Sequence, residues 1–175
     1  MKTLIDHLAQ YATYHRDRRN IFTHFIGVPM IAFAVTVLLS RPGFSAFGLW
    51  LTPATLCALA SAVFYLRLDL RLGLLMSALL GLSLWGAANL AAQGTMVWLS
   101  AGLGLFVVGW IIQFVGHVYE GRKPAFVDDL MGLVIGPLFV VAEVGFAFGL
   151  RREVEQAIDA QCGPVRGAPL QPAGR

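Results

Sequence analysis

Three histidines and two glutamates stand near the ends of apolar tracts in this sequence, and their types suit a bound metal ion. Gln113, His117 and Glu120 are spaced by four and then three residues. That spacing puts their side chains on one face of a continuous helix. Asn20 and His24 are also four apart, at the start of another apolar tract. His15 precedes His24 by nine residues, about half a turn out of phase on one helix, so the two can address a single point only if the chain breaks between them. The stretch RDRRN, residues 16–20, is the expected break, with Asn20 capping the helix that follows. Glu143 joins the group only if the last apolar segment folds back toward it.

Histidines with nearby carboxylates and no thiolate cluster suit iron or zinc. Two histidines and one carboxylate with open positions form the pattern of non-haem Fe(II) oxygenases. The same histidines admit a second reading, as axial ligands of haem in a membrane electron carrier. A third reading, a small transporter or scaffold, expects polar groups spread through the membrane depth, whereas Asn20, His24, Gln113, His117 and Glu120 gather at one end. Membrane di-iron hydroxylases need more histidines than the four present. Simpler roles are expected elsewhere: His7 as an interfacial hydrogen-bonding residue, Asp128 and Asp129 as the acidic start of a helix, and Trp50, Trp85, Trp98 and Trp110 as interface and packing residues. Glu120 has its own simple alternative, an ion pair with Arg122 or Lys123.

The elements that must position these residues are membrane helices. The chain of 175 residues is 57% hydrophobic and 13% charged, against about a quarter charged in a soluble domain, and its mean hydropathy is +0.69. Charge-free runs cover residues 20–40, 42–66 and 72–119, and roughly 20 apolar residues cross the ~30 Å hydrocarbon layer. The expected fold is an all-α polytopic helix bundle with four full spans near 21–40, 45–66, 72–91 and 95–116. A fifth hydrophobic segment at 126–150, broken at Gly136-Pro137, is expected to bend or re-enter. Before the first span, Leu4, Leu8, Tyr11, Ala12 and His15 recur at helical spacing, which predicts an amphipathic helix lying along the membrane surface. Residues 1–152 read as one membrane-embedded catalytic domain. Residues 153–175 read as a flexible tail that begins with a short helical extension.

The N-terminal residues lack the apolar core and cleavage site of a removable signal peptide. With the N-terminus cytoplasmic, Arg16, Arg18, Arg19, Arg67, Arg71, Arg122 and Lys123 lie inside and only Arg41 lies opposite, as the positive-inside rule requires. The isoelectric point of about 9.2 therefore reflects topology, with no patch for nucleic acid. A bacterial inner membrane is favoured over the endoplasmic reticulum. Cys57 and Cys162 form no disulfide framework and no metal knuckle.

The stretches YHRDRRNIFTHFIGVPMIAF (residues 14–33) and WIIQFVGHVYEGRKPAFVDDLMGLVIGPLFVVAE (residues 110–143) together resemble the Mpo1-like family of membrane 2-hydroxy fatty acid dioxygenases. The resemblance implies an Fe(II)-dependent enzyme that shortens long-chain 2-hydroxy fatty acids by one carbon with O2, an α-oxidation step in the breakdown of long-chain sphingolipid bases. It implies that His15, His24, His117, Glu120 and Glu143 surround the metal. Asn20, Gln113, Arg19 and Lys123 are the candidates for holding substrate, the two cations attracting its anionic head group at the membrane surface. Partners are then the substrate, O2 and the bilayer, with an oligomer left open.

Overall fold

A capping box starts the chain's first helix. Thr3 Oγ1 accepts from the Asp6 backbone N–H at 3.2 Å, and Asp6 Oδ2 accepts from that of Thr3 at 2.7 Å. The computed structural model describes residues 2–46 and 48–167. Its elements are α1 (Leu4–Ala12), α2 (Arg18–Leu38), a hairpin of β1 (Phe44–Ala46) and β2 (Leu49–Leu51), α3 (Pro53–Leu68), α4 (Leu70–Ala91), α5 (Thr95–Glu120), α6 (Gly132–Ala147) and α7 (Arg152–Cys162). The Trp50 side chain and residues 168–175 of the expected tail lie outside the described residues.

Three helices, α2, α4 and α5, are long and apolar enough to cross a membrane. Many of their outward residues are large and apolar, including Leu82, Val107 and Trp85, which is 68% exposed. A soluble protein does not leave apolar surface so continuous. The expected span at 45–66 is shorter: the hairpin takes its first third, and α3 has 16 residues, about 24 Å at 1.5 Å per residue. Pro53 opens α3 at its first position, behind a Thr52–Thr55 capping box.

Helices α2 and α5 run antiparallel in close contact, with small residues on the seam. A Cβ on Gly109 would stand 2.7 Å from Ile31, and one on Gly27 would stand 3.0 Å from the Gly109 carbonyl. Without side chains at these positions the backbones approach closely, as membrane helices do at small-residue interfaces. The seam aligns the start of α2 with the end of α5. At the opposite end Arg41 closes the bundle, donating to the Ala91 and Gln93 carbonyls and stacking on Trp98.

The segment after α5 departs from expectation in where it bends. Helix α6 runs unbroken through Pro137 in its second turn, where the proline forfeits the hydrogen bond to the Leu133 carbonyl without ending the helix. The bend comes after Phe148, where Gly149 and Arg151 take left-handed φ values of 73° and 54°, and α7 leaves at 114° to α6. Arg151 pairs with Asp69 of the α3–α4 turn at 2.9 Å. The apolar stripe of α1 is likewise not free for lipid: Leu4, Leu8, Tyr11 and Ala12 are buried against α6 and α7, with Phe139, Val154 and Ile158. Val154 and Ile158, beyond residue 152, belong to this core.

Candidate functional site

The chain does break between His15 and His24. Helix α1 ends at Ala12, and α2 begins at Arg18 behind Asp17, whose Oδ1 accepts from the Arg19 N–H at 2.9 Å. The cap is therefore Asp17, and Asn20 instead sits buried in the first turn. This five-residue bend carries His15 around to face His24. From α5, which packs along α2, comes His117. The ring centroids lie 4.4 Å (His15–His24), 5.1 Å (His15–His117) and 5.1 Å (His24–His117) apart. One nitrogen of each lies within 4.8 Å of the others, and all three residues are buried.

The local hydrogen bonds decide which nitrogens are free. His15 Nδ1 lies 2.8 Å from the Tyr11 carbonyl, and His24 Nδ1 lies 2.9 Å from the Asn20 carbonyl. Each must donate its Nδ1–H to an oxygen four residues earlier, which leaves Nε2 with a lone pair. His15 Nε2 and His117 Nδ1 are buried without any partner, where buried polar atoms normally have one. Burial, reinforced by the neighbouring His24, holds His15 well below the ordinary histidine range, so it is neutral and able to ligate. A divalent metal fits this donor set, and imidazole suits iron, zinc, copper or nickel. A haem does not fit, because rings in edge contact at these distances leave no slot for a macrocycle.

The two glutamates expected at the metal are not in this group among the described residues. Glu120 is committed to protein donors. Its Oε2 accepts from the backbone N–H of Arg16 (3.0 Å) and of Asp17 (2.8 Å) and from Asn20 Nδ2 (3.1 Å), while Oε1 accepts from Arg166 at 2.6 Å. Glu143 lies 3.9 Å from the Arg16 guanidinium, which also donates to Asp159 and to the Gly163 carbonyl. Both carboxylates thus hold the loop that carries His15. The alternative pairing of Glu120 with Arg122 or Lys123 is not formed: Arg122 donates to the Thr13 carbonyl and Lys123 pairs with Asp128.

An apolar cavity of about 390 Å³ reaches two of the three histidines, His24 and His117. His24, His117 and Gln113 line its head, with Tyr11 and Tyr65, and it continues between α2, α3, α4 and α5. Gln113 is buried with Oε1 unpaired. Of the other expected substrate contacts, Asn20 spends its Nδ2 on Glu120 and the Tyr14 carbonyl, while its Oδ1 is buried without a partner and the residue does not line the cavity. Arg19 pairs with Asp17 and lies over Tyr119, and neither it nor Lys123 lines the cavity. His7 stands apart, edge-on to Phe64.

Sequence reasoning missed three contributors. Tyr11 stacks flat on His15, centroids 4.2 Å apart and 8° from parallel, and its place four residues earlier on the same stripe was the available signal. Arg16 is a buried cation at the bend. Arg166 lies in a polar stretch that gave no signal, yet its backbone bridges the Arg16 carbonyl and the Arg18 N–H.

The family described as 2-hydroxy-palmitic acid dioxygenase Mpo1-like matches residues 1–148. A relative from Saccharomyces cerevisiae, 2-hydroxy-palmitic acid dioxygenase MPO1, is 38% identical over 157 residues, covering 87% of this chain and 85% of the relative. No solved structure matches the chain. The match over most of the chain, histidine-bearing segments included, places this protein in the Mpo1-like family.

Proposed function

We propose that this protein is a membrane-embedded, Fe(II)-dependent dioxygenase that shortens 2-hydroxy fatty acids by one carbon, with His15, His24 and His117 as the metal ligands. The observation that carries the reading is the buried trio of imidazoles, nitrogens within 4.8 Å of one another, at the head of an apolar cavity. Iron, when bound, would supply open coordination positions and the redox chemistry that O2 requires.

The protein's own residues prepare that centre. The Tyr11 and Asn20 carbonyls fix the His15 and His24 tautomers, an outer-sphere role that orients ligands. Tyr11 and Phe139 pack on His15 and keep water from it. Gln113 Oε1 accepts a hydrogen bond from the 2-hydroxyl of the substrate. The alkyl tail lies in the cavity, where burial of each methylene contributes about 0.8 kcal/mol. Glu120 and Glu143 position the ligand loop.

In the same reading α2, α3, α4 and α5 cross the membrane, the hairpin completing the short α3. The α6–α7 pair stays at the triad end, supported by the Arg151–Asp69 ion pair. That end is proposed to be cytoplasmic, because among the described residues Arg41 is the basic residue placed at the other end, and the membrane proposed is a bacterial inner membrane. The test is consumption of 2-hydroxypalmitic acid by iron-loaded protein in detergent. Wild type is expected to consume it and H117A to fail. Equal consumption by both would overturn the assignment.

A further inference from the structure

The cavity has a length as well as a volume. Its α2 wall is the stripe His24, Val28, Ile31, Ala32, Val35, Thr36 and Leu39, spaced by three or four residues on one face. From His24 to Leu39 this wall runs about 22 Å at 1.5 Å per residue. Facing it, Tyr65, Ser61, Ala58, Cys57 and Ala54 of α3 run the other way, so Tyr65 is at the triad end and Ala54 is farthest from it. The far end is pinned, because the Ala54 N–H donates to the Leu39 carbonyl at 3.1 Å. Between head and floor the α3 wall is built of Ala, Cys and Ser, and the open volume exists because these side chains are small.

We infer that α3 sets the acyl length this protein accepts, with Ala54, Cys57 and Ala58 forming the floor against which the tail of a long-chain 2-hydroxy acid ends. The inference rests on the proposed dioxygenase reading and adds to it the residues that discriminate between substrates. A carboxyl end fixed at the triad and a floor fixed by the Leu39–Ala54 hydrogen bond leave tail length as the variable. A larger side chain at Ala58 raises the floor. The discrimination follows because a methylene that finds no room in an apolar pocket costs about ten- to two-hundredfold in specificity.

The first arm compares kcat/KM for 2-hydroxypalmitic and 2-hydroxyoctanoic acids in wild type and A58F. The variant is expected to lower the ratio of kcat/KM for the long acid to that for the short acid about 100-fold. Equal loss on both acids, or loss on neither, overturns the inference. The second arm reads the same floor at a buried position. Ala54 is buried and lines the floor, so in A54C/C57S/C162S protein an apolar maleimide reaches the new thiol through the cavity. Palmitic acid is expected to slow that modification and octanoic acid is not. Modification at the same rate with and without palmitic acid would sink the proposal. Turnover of neither acid by wild type indicts the dioxygenase reading instead, whereas turnover without length discrimination by A58F indicts only the floor.

Discussion

Glu120, the last residue of α5, accepts the backbone N–H of Arg16 on Oε2 at 3.0 Å. One carboxylate thereby ties the helix that carries His117 to the bend that carries His15. Asp17, Asn20 and Arg166 complete its set of donors.

E120A leaves the buried Arg16 N–H and the part-buried Asp17 N–H without an acceptor. It is expected to destabilise the protein by about 3 kcal/mol and to weaken metal binding about 10- to 100-fold. E120Q keeps an acceptor oxygen and is expected to recover part of both. Thermal unfolding and metal content measured on the same preparations check this, and unchanged metal affinity in E120A would contradict the positioning role.

The seam of α2 and α5 is equally demanding at Gly116. A methyl group there would overlap Thr23 and stand 2.5 Å from Asn20 Oδ1, so G116A forces apart the helices that carry His24 and His117. The expected cost is about 1–3 kcal/mol, together with a fall in metal occupancy. Alanine at Gly104, which lies within α5 and meets nothing within 4 Å, is expected to cost nothing in the same unfolding assay and to add about 0.5–1 kcal/mol of helix stability.

Gln113 is assigned to the substrate and not to the metal. Q113L should therefore retain full metal content while kcat/KM for a 2-hydroxy acid falls about tenfold, the worth of one hydrogen bond. Loss of metal from Q113L would move this residue into the ligand set.

The pH response follows from His15. Its folded value lies well below its unfolded value of 6.5. As pH falls below 6.5, the unfolded chain binds a proton that the folded one refuses, and stability is lost between the two values. Protons also compete with metal for the imidazoles, so metal is released over the same acidic range. Melting temperature and metal content followed from neutral pH to about pH 5 are expected to fall together. A flat profile would mean that His15 is not a buried neutral ligand.

Much of the site was legible because histidines bordering apolar tracts are costly and therefore conspicuous, and because the nine-residue interval between His15 and His24 demanded a break that the chain makes. Glu120 was placed at the right face, but spacing along α5 cannot show that the α1–α2 bend delivers backbone N–H groups to it. Arg19 and Lys123 were read as head-group contacts from charge alone, and local acids claim both. The span at 45–66 was drawn from hydropathy, which does not distinguish a hairpin of Phe, Leu and Trp from helix. Pro137 was read as the break in the last segment, whereas Gly149 and Arg151 make the turn in left-handed backbone. The cavity depends on which small residues of α3 face α2, a relation fixed only by packing.

The central claim is chemical, and product analysis tests it most directly. Detergent-purified protein loaded with Fe(II) is mixed with 2-hydroxypalmitic acid, with and without O2, and the acids are identified by mass spectrometry. The account predicts an acid one carbon shorter that appears only with O2 and is absent from H15A, H24A and H117A protein. An unchanged hydroxy acid, in a preparation shown to hold iron, would contradict it.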